Sequence, residues 1–379
     1  MNATPLESRI RALIRANGPM SVAEYMTLCL ADPQDGYYMR GDPFGRGGDF
    51  ITAPDVSQMF GELIGLWCLQ TWLDAGCPQT VRLVEAGPGR GTLMADLLRV
   101  TSVQPKFLEA LSVHLVETSP RLREAQKTAL TGAPCPLAWH DRIDDVPDGP
   151  MILLANEFFD ALPIRQYVRA AGAWRERMVG LDPASDQLAF GIGPGRLADD
   201  DLPERLRTVA EGTVLETQPL ANAIAATIGE RLAASGGAAL IIDYGYVSTA
   251  PGDTLQAVRK HQFADVLAHC GEADLTAHVN FEALARAARQ SGAQAHGPMT
   301  QGDFLIKMGL LERAGALGAG KEPSVQEQLS ADVERLAGAD HMGNLFKVLA
   351  LSAPGSDLGQ TLKPFDSTPA RPHHLARAT

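Results

Sequence analysis

One short segment combines an acidic residue with closely spaced glycines, a pattern suited to binding a small charged ligand. The strand-like residues 80–84 lead into Glu85, which is followed by Gly87, Gly89 and Gly91. Glycines permit a tight turn and let the backbone approach a ligand at the start of the next helix. A carboxylate two residues ahead of the first glycine repels a pyrophosphate but attracts an ammonium or a sulfonium. The spacing therefore predicts a nucleotide-type cofactor that is positively charged near Glu85.

The same turn disfavours one class of cofactor protein and favours another. A dinucleotide fingerprint needs its third glycine at the position of Thr92, whereas the glycines here follow G-x-G-x-G. S-adenosylmethionine carries both an ammonium and a sulfonium, so we expect it as the cofactor, with Thr92 part of its site. Saturable NAD binding without affinity for S-adenosylmethionine would instead favour a nucleotide-dependent oxidoreductase.

Further polar residues are candidates for the same ligand. Glu117 ends the next apolar run, where a carboxylate accepts hydrogen bonds from ribose hydroxyls. Asp141 follows LAWH, and it either meets the adenine amino group or caps a helix. Side chains of the N-terminal segment that either close over the methionine end of the cofactor or serve packing are Tyr37, Tyr38, Phe50 and Ser57.

Residues 156–163, NEFFDALP, bring an amide, two carboxylates and two aromatic rings to the end of an apolar run. A guanidinium is planar, has five N–H donors and stays charged, so paired carboxylates hold it well. Glu157 and Asp160 flank one cation if the segment turns, while Asn156 orients the acceptor. One carboxylate then accepts the released proton. The alternative is that Asp160 caps a helix and Glu157 is solvated.

Other polar residues have weaker signals. Asp243 and Tyr244 end the apolar run AALIIDYGY and either border the predicted acceptor site or pack. His278 is a candidate base because its ordinary pKa lies near 6.5, and a hydrogen-bonded structural histidine is the alternative. His373 and His374 lie near the C-terminus without further ligands, so no metal site is predicted.

A parallel sheet is needed to bring these residues together. Residues 80–164 alternate apolar runs with helical stretches, which predicts the first part of an α/β, doubly wound, Rossmann-like core. Residues 165–236 turn to apolar–polar alternation and are predicted to form an inserted α+β cover. Residues 237–353 resume the core with helical additions. Residues 1–79 supply a helix and a glycine-rich lid or irregular loop, and residues 354–379 are expected to be disordered.

Composition limits the partners and the compartment. The 379 residues are 45 % hydrophobic and 21 % charged, as in globular proteins, and 33 Lys+Arg against 45 Asp+Glu give a charge of −12. This balance argues against nucleic-acid binding. Five cysteines without a C-x-x-C pair and apolar runs of about five residues predict neither disulfides nor membrane insertion. An amphipathic N-terminal helix in place of a leader predicts a cytoplasmic protein. A homodimer stays open.

The chain resembles the MidA-like family of class I methyltransferases, which is related to a mitochondrial complex I assembly factor that dimethylates an arginine. The matching segments cover nearly the whole chain and are DPQDGYY (32–38), GDFITAPDVSQMFGELIG (48–65), LVEAGPGRGTLMADLLR (83–99), LVETSP (115–120), NEFFDALP (156–163), GEADLTAHVNF (271–281), QGDFLIKMGL (301–310) and MGNLFKVLAL (342–351). The resemblance implies methyl transfer from S-adenosylmethionine to a protein arginine, with a respiratory complex I subunit as the partner.

By this resemblance Glu85, the three glycines and Glu117 bind the cofactor, while residues 156, 157 and 160 line the acceptor site. The chain departs from the family's eukaryotic branch in having no organelle-targeting leader. It also lacks the paired-glutamate hairpin of ordinary protein arginine methyltransferases. Two alternatives therefore stay open: transfer to another nitrogen or a small molecule, and a non-catalytic assembly protein that retains the pocket.

Overall fold

The computed structural model describes residues 3–40, 52–198, 202–356 and 358–365. Its strands are β1 (Met20–Ser21), β2 (Val81–Ala86), β3 (Leu111–Val116), β4 (Leu137–His140), β5 (Met151–Asn156), β6 (Arg165–Ala170), β7 (Ala173–Leu181), β8 (Leu188–Leu197), β9 (Val214–Thr217), β10 (Gly237–Tyr246), β11 (Gln256–Arg259), β12 (Gln262–Ala264), β13 (Asp274–Thr276), β14 (Val279–Asn280), β15 (Gln294–Thr300) and β16 (Phe346–Ser352).

Helices precede, connect and follow these strands. They are α1 (Pro5–Asn17), α2 (Val22–Ala31), α3 (Tyr37–Arg40), α4 (Ala53–Val56), α5 (Gln58–Asp74), α6 (Thr92–Thr101), α7 (Pro105–Ala110), α8 (Pro120–Ala129), α9 (Pro219–Ser235), α10 (Phe281–Gln290), α11 (Gln301–Lys307), α12 (Leu310–Gly318), α13 (Pro323–Ala337), α14 (Met342–Leu345) and α15 (Gly359–Leu362).

The central sheet confirms the predicted α/β doubly wound core. In the described part of the chain its order is β4, β3, β2, β5, β10, β16, β15, with β14 pairing beside the end of β10. Strands β2, β3, β4, β5 and β10 are parallel, and β16 is antiparallel to β10. The chain moves outward from β2 to β4 and then returns to β5 on the other side of β2. Ligands of such sheets bind beyond the carboxyl ends of the strands at this reversal.

Helices cover both faces of this sheet because its strands are apolar on both sides. On one face Leu83 packs with α5 and α6, and on the other Leu153 and Ile241 pack with α9 and α10. All three side chains are fully buried. This burial stabilises the strands whose ends carry Glu85 and Asn156, so the candidate site is built on a rigid frame.

A second sheet joins the N-terminal segment to the predicted cover. Among the described residues its order is β1, β7, β6, β9, with β8 on the other edge of β7. Met20 pairs with Val179, so the two segments that the sequence separates share one sheet. The buried face of α1, formed by Leu6, Ile10 and Ile14, packs into the same layer. This layer places α2 beside the carboxyl edge of the central sheet, where it lines the cavity described below.

Residues 358–365 correct the expectation of disorder beyond residue 354. They form α15 and a 3-10 turn, and α15 packs against α5. The Trp67 indole N–H donates to the Thr361 carbonyl at 3.2 Å, and the Asp74 carboxylate accepts from the Thr361 backbone N–H at 2.7 Å. Leu358 is also buried. A Pro- and Ser-rich composition does not reveal such isolated anchors. No described helix is both long and apolar enough to cross a bilayer.

Candidate functional site

The glycine turn lies at the carboxyl end of β2. Gly87, Gly89 and Gly91 all have positive φ angles, of 66°, 52° and 85°, and Gly91 is the N-cap of α6. A Cβ atom at Gly87 would lie 2.8 Å from the Phe158 ring, so no larger residue fits there without a shift. Because its glycines have no side chains, the turn lets a ligand approach the backbone closely at the start of α6.

Glu117 is held in place beside this turn. Its carboxylate accepts hydrogen bonds from the Ser119 backbone N–H at 2.8 Å and from the Gln126 amide at 3.3 Å. The Gln126 amide also donates to the Gly89 carbonyl at 2.8 Å, so one side chain connects the acid to the glycine turn. Burial raises the pKa of Glu117, and these hydrogen bonds oppose the shift.

A cavity of about 500 Å³ lies between these groups. Its walls include the predicted residues Gly87, Gly89, Glu117, Asp141, Glu157 and Phe158. Apolar walls that the sequence analysis did not anticipate come from α2 and α9 and include Met26, Leu30, Leu220 and Ile224. A largely apolar cavity with a few polar groups suits a nucleoside-sized ligand. These helices are distant in sequence from the glycine turn, so no local signal indicates their contribution.

Asp141 lies at the rim of the cavity. Its side chain is 73 % exposed and forms an ion pair with Arg123 at 2.6 Å. The helix-cap alternative is wrong, because Arg142 is the residue that precedes the following 3-10 turn. The rim position leaves Asp141 a candidate contact for the outer part of a ligand.

The remaining cofactor candidates have different positions. Ser57 caps α5 by accepting a hydrogen bond from the Met59 N–H at 3.4 Å, and Thr92 begins α6. Tyr37 is buried, whereas Tyr38 lines the cavity and donates its hydroxyl hydrogen to Asp274 at 3.0 Å. Candidates outside the described residues are Phe50, His373 and His374, together with most of the predicted lid loop.

Glu85 lies near the end of β2, two residues before Gly87, and is buried with 3 % of its surface exposed, behind the residues that line the cavity. Among the described residues its Oε2 atom has no hydrogen-bond partner. Burial raises the pKa of Glu85 to about 8. Buried polar atoms are normally hydrogen-bonded, so an unpartnered carboxyl oxygen beside a ligand turn indicates that a ligand completes its environment. This orphaned oxygen and the glycine turn fit S-adenosylmethionine, whose ammonium and sulfonium are cations.

The predicted acceptor segment follows β5 as a turn. Glu157 has a φ of 51°, an uncommon backbone conformation for a residue with a side chain. Its Oε1 atom accepts from the Ala53 N–H at 3.0 Å and from the Asn156 amide at 3.2 Å. Burial raises the pKa of Glu157 to about 8. The solvated alternative for Glu157 is therefore wrong, and the side chain connects the cavity wall to α4.

Asp243 holds this turn from the neighbouring strand. Its Oδ2 atom accepts hydrogen bonds from the backbone N–H groups of residues 158, 159 and 160 at 3.2, 2.9 and 3.2 Å. Burial raises the pKa of Asp243, and the Asp160 and Glu157 carboxyls raise it further. Asp243 was expected either to border the acceptor site or to pack, and its role in holding the turn was not predicted. An acid at the end of the strand next to β5 was the only signal.

Asp160 is buried, and burial raises its pKa to about 6. The helix-cap alternative is wrong, because the chain continues through a turn into β6. Hydrogen bonds from the Tyr244 hydroxyl and the Ala161 backbone N–H to the Asp160 carboxyl oppose that rise in pKa. The Oδ1 atom of Asn156 has no hydrogen-bond partner among the described residues, so the turn presents one unfilled amide acceptor beside a buried carboxyl. That arrangement suits a ligand with several N–H donors.

His278 follows Ala277, whose backbone N–H donates to the Asp160 carbonyl at 3.0 Å. Its ring contacts Tyr244 edge-on with 5.4 Å between centroids, and its backbone N–H donates to the Thr254 hydroxyl at 2.9 Å. Burial lowers its pKa, which favours the neutral ring. These contacts favour the structural alternative for His278. Among the residues that the structure describes, no group of three His, Cys, Asp or Glu side chains is placed to hold a metal.

Comparison with known proteins yields consistent matches. A family described as S-adenosyl-L-methionine-dependent methyltransferase matches residues 63–299. Protein arginine methyltransferase NDUFAF7, mitochondrial, of Xenopus tropicalis is 39 % identical over 96 % of this chain and 89 % of its own. The Homo sapiens protein of that name is 38 % identical over 92 % and 83 %. A Burkholderia thailandensis protein crystallised with S-adenosyl-homocysteine superposes with a TM-score of 0.82 at 29 % identity, over 97 % and 95 % of the two chains.

These matches contradict the expected cytoplasmic location. The relatives from Xenopus tropicalis, Homo sapiens and Drosophila melanogaster are mitochondrial by name. The expectation relied on cysteines and on the N-terminal helix. Unpaired cysteines indicate a reducing environment without identifying the compartment. The apolar face of α1 is buried in the fold, so its pattern reflects packing and carries no information about destination.

Proposed function

Because the chain belongs to this family of S-adenosyl-L-methionine-dependent methyltransferases, we propose that it methylates an arginine side chain of a protein. Methyl transfer and the cofactor follow from family membership, and the acceptor is the proposed part. The observation that supports an arginine acceptor is the turn after β5, which carries the amide of Asn156 and the carboxyls of Glu157 and Asp160 and of which Glu157 lines the cavity beside the glycine turn. The names of the curated relatives support the same acceptor.

The two acidic residues of the cofactor site are suited to different parts of the cofactor. Glu85, one oxygen of which has no partner in the described ranges, is suited to the cationic end of the cofactor, and Glu117 is suited to the ribose hydroxyls. The glycine turn admits the cofactor without steric conflict. When bound, S-adenosylmethionine supplies an already activated methyl group. The protein's remaining task is to hold the acceptor nitrogen in line with that group.

The acceptor side supplies charge and a proton acceptor. With a pKa of about 6, Asp160 is ionised at neutral pH and attracts a guanidinium. With a pKa of about 8, Glu157 exchanges a proton near neutral pH and is suited to accept the one released from the methylated nitrogen. The Oδ1 atom of Asn156, which accepts no hydrogen bond from any residue that the structure describes, accepts an N–H and orients the acceptor.

The direct test is to identify the methylated amino acid. The purified protein is incubated with isotopically labelled S-adenosylmethionine and a mitochondrial extract, and the proteins are hydrolysed and separated. We expect label in methylarginine, and its absence from the Glu157→Ala variant although calorimetry still shows cofactor binding. Label only in methyllysine, methylhistidine or a small molecule would support the other-acceptor alternative. No transfer despite stable association with a partner would support a non-catalytic assembly role.

We further propose a respiratory complex I subunit as the protein substrate, on the basis of the family resemblance. Mass spectrometry of arginine-containing peptides from cells with and without this protein tests the proposal. We expect one or a few methylated arginines of complex I subunits to disappear with the protein. Methylation changes confined to other proteins would reject this partner and leave the arginine acceptor intact.

A further inference from the structure

Gln126 is a buried amide of α8 whose side chain joins three segments around the cofactor site. None of its surface is exposed. Its Nε2 atom donates to the Gly89 carbonyl at 2.8 Å and to the Glu117 carboxylate at 3.3 Å, while its Oε1 atom accepts from the Trp139 indole N–H at 2.9 Å. Burying an amide costs free energy unless its polar atoms are hydrogen-bonded. These three bonds offset that cost, and the function proposed above gives Gln126 no role.

Trp139 determines which way the Gln126 amide faces. An indole N–H can only donate a hydrogen bond, so the amide oxygen has to face Trp139. The amide NH2 group, which has two donors, then faces the oxygen atoms of Glu117 and Gly89. The reversed amide would place its oxygen against two acceptors and its NH2 group against a donor. The chemistry of the three partners therefore fixes the orientation of the amide.

The Glu117 carboxylate is held at both of its oxygen atoms. The Ser119 backbone N–H donates to Oε1 at 2.8 Å, and Gln126 donates to Oε2. Gly89 and Glu117 both line the cavity, and the bond from Gln126 to the Gly89 carbonyl ties these two wall residues together. Helix α8 lies directly against the glycine turn, since a Cβ atom at Gly91 would lie 3.5 Å from the Gln126 Cα atom. Gln126 therefore influences a ligand through Glu117 and the turn.

We propose that Gln126 is a positioning residue for the cofactor ribose, which holds the Glu117 carboxylate in the orientation that accepts a hydrogen bond from the 2′-hydroxyl. The inference rests on the proposed assignment of Glu117 to the ribose hydroxyls and adds the residue on which that contact depends. A site built to hydrogen-bond a hydroxyl discriminates against the analogue that lacks it, because the buried acceptor is then left unpaired. Gln126 thereby contributes to selectivity for a ribonucleoside over a deoxyribonucleoside.

The test compares two ligands, S-adenosyl-homocysteine and its 2′-deoxy analogue, titrated into the full-length protein in a calorimeter. Wild type should bind S-adenosyl-homocysteine about tenfold more tightly than the analogue, the usual effect of one hydrogen bond to a charged group. Gln126→Met has a similar volume and no amide. It should weaken S-adenosyl-homocysteine about tenfold while the Kd of the analogue changes less than about threefold, so the variant no longer distinguishes the two ligands.

Two further variants separate this role from a general effect on stability. Trp139→Phe keeps the Gln126 side chain but removes the indole N–H that orients its amide, so it should weaken S-adenosyl-homocysteine about threefold and leave the analogue unchanged. The matched control is Gln301→Met, because Gln301 is also fully buried and donates its amide N–H to a backbone carbonyl, that of Leu336, at 2.9 Å. It should lower the Tm as Gln126→Met does, but change neither Kd.

Each outcome decides the proposal. If Gln126→Met weakens both ligands equally, or neither, Gln126 does not act through the 2′-hydroxyl and the proposal is overturned. If Gln126→Met does not fold, the same comparison with Trp139→Phe decides, and an equal effect on both ligands rejects the positioning role. If wild type binds both ligands equally, the ribose assignment of Glu117 is wrong and this inference falls with it, while labelled methylarginine in the extract assay would still support the proposed function.

Discussion

Replacing Glu85 with Gln is expected to raise the free energy of unfolding of the ligand-free protein. Glu85 is 3 % exposed, and burial raises its pKa from 4.5 to about 8. At pH 7 the carboxyl is ionised in the unfolded chain but mostly protonated in the folded one. Folding therefore takes up a proton, at a cost of about 1.4 kcal/mol for each pH unit above 4.5, or roughly 3 kcal/mol at pH 7. Gln has a similar shape and does not titrate, so Glu85→Gln removes this cost.

Glu62 provides a matched control because it is equally buried but differently paired. Its carboxylate accepts hydrogen bonds from Arg99 at 2.8 Å and from Arg313 at 2.7 and 3.0 Å. Burial alone would raise the pKa of Glu62, but the hydrogen bonds from Arg313 and Arg99 lower it overall. Glu62→Gln should therefore destabilise the protein by about 2 kcal/mol, because Arg313 loses its hydrogen bonds to a buried carboxylate and Arg99 keeps only its ion pair with Asp96.

The two substitutions also differ in their pH dependence. The folded-state pKa of Glu85 is raised, so its unfavourable contribution grows from pH 4.5 to about 8, and the gain from Glu85→Gln should grow over the same range. The folded-state pKa of Glu62 is lowered, so its favourable contribution is present above pH 4.5 and is lost as the pH falls further. Urea unfolding of both variants and the wild type at about pH 3.5, 5, 7 and 8 measures these differences.

Glu85→Gln should also weaken S-adenosylmethionine binding in calorimetry, because the neutral amide does not attract a cation. The combination of higher stability and lower affinity is the expected signature of a functional group that is costly to the empty protein. The reasoning would be refuted by a Glu85→Gln variant that is no more stable than wild type at pH 7. Unchanged cofactor affinity would show that Glu85 does not contact the cation.

Three further predictions concern the acceptor turn and the glycine turn. Asp243→Asn should lower kcat at least tenfold while cofactor affinity changes less than threefold, because an amide cannot accept all four hydrogen bonds that the Asp243 carboxylate accepts from the N–H groups of residues 158–160 and 244. Equal losses in kcat and cofactor affinity would contradict a positioning role. Gly87→Ala should weaken cofactor binding at least tenfold in calorimetry, because its φ is 66° and the new Cβ would lie 2.8 Å from Phe158. The control Gly76→Ala, also at positive φ but with no described atom within 4 Å of the new Cβ, should bind the cofactor normally. The kcat/KM for an arginine substrate should rise from pH 6 to pH 8 as Asp160 and then Glu157 ionise, and the Glu157→Gln variant should lose the inflection near pH 8. A kcat/KM that does not change over this pH range would exclude both acids as binding or proton-accepting groups.

Local patterns in the sequence predicted much of the core and of the cofactor side. Continuous apolar runs indicated buried parallel strands, and the glycine spacing indicated the turn at the end of β2. Glu117 was found because it directly follows a strand, and the structure places it on the cavity wall. These features depend on neighbouring residues in the chain, so a sequence is sufficient to predict them.

Features built from distant segments could not be predicted in this way. Asp243 holds backbone groups that lie 83 to 85 residues earlier, and β1 pairs with β7 across nearly 160 residues of chain. The cavity walls supplied by α2 and α9 likewise depend on how separate layers pack. Periodicity reports which face of an element is buried, but it does not report what that face is buried against.

For this protein, residue type and spacing alone determined the α/β core, the turn at residues 87–91 and the acidic residues at strand ends, because each follows from backbone sterics and local burial. Only the tertiary structure decided which of those acids have partners. Glu62 and Glu85 are both nearly fully buried, yet Glu62 accepts hydrogen bonds from two arginines, whereas one carboxyl oxygen of Glu85 has no partner within the described part of the chain. The effect of a buried charge depends on the groups that the fold places around it, and those groups come from elsewhere in the chain.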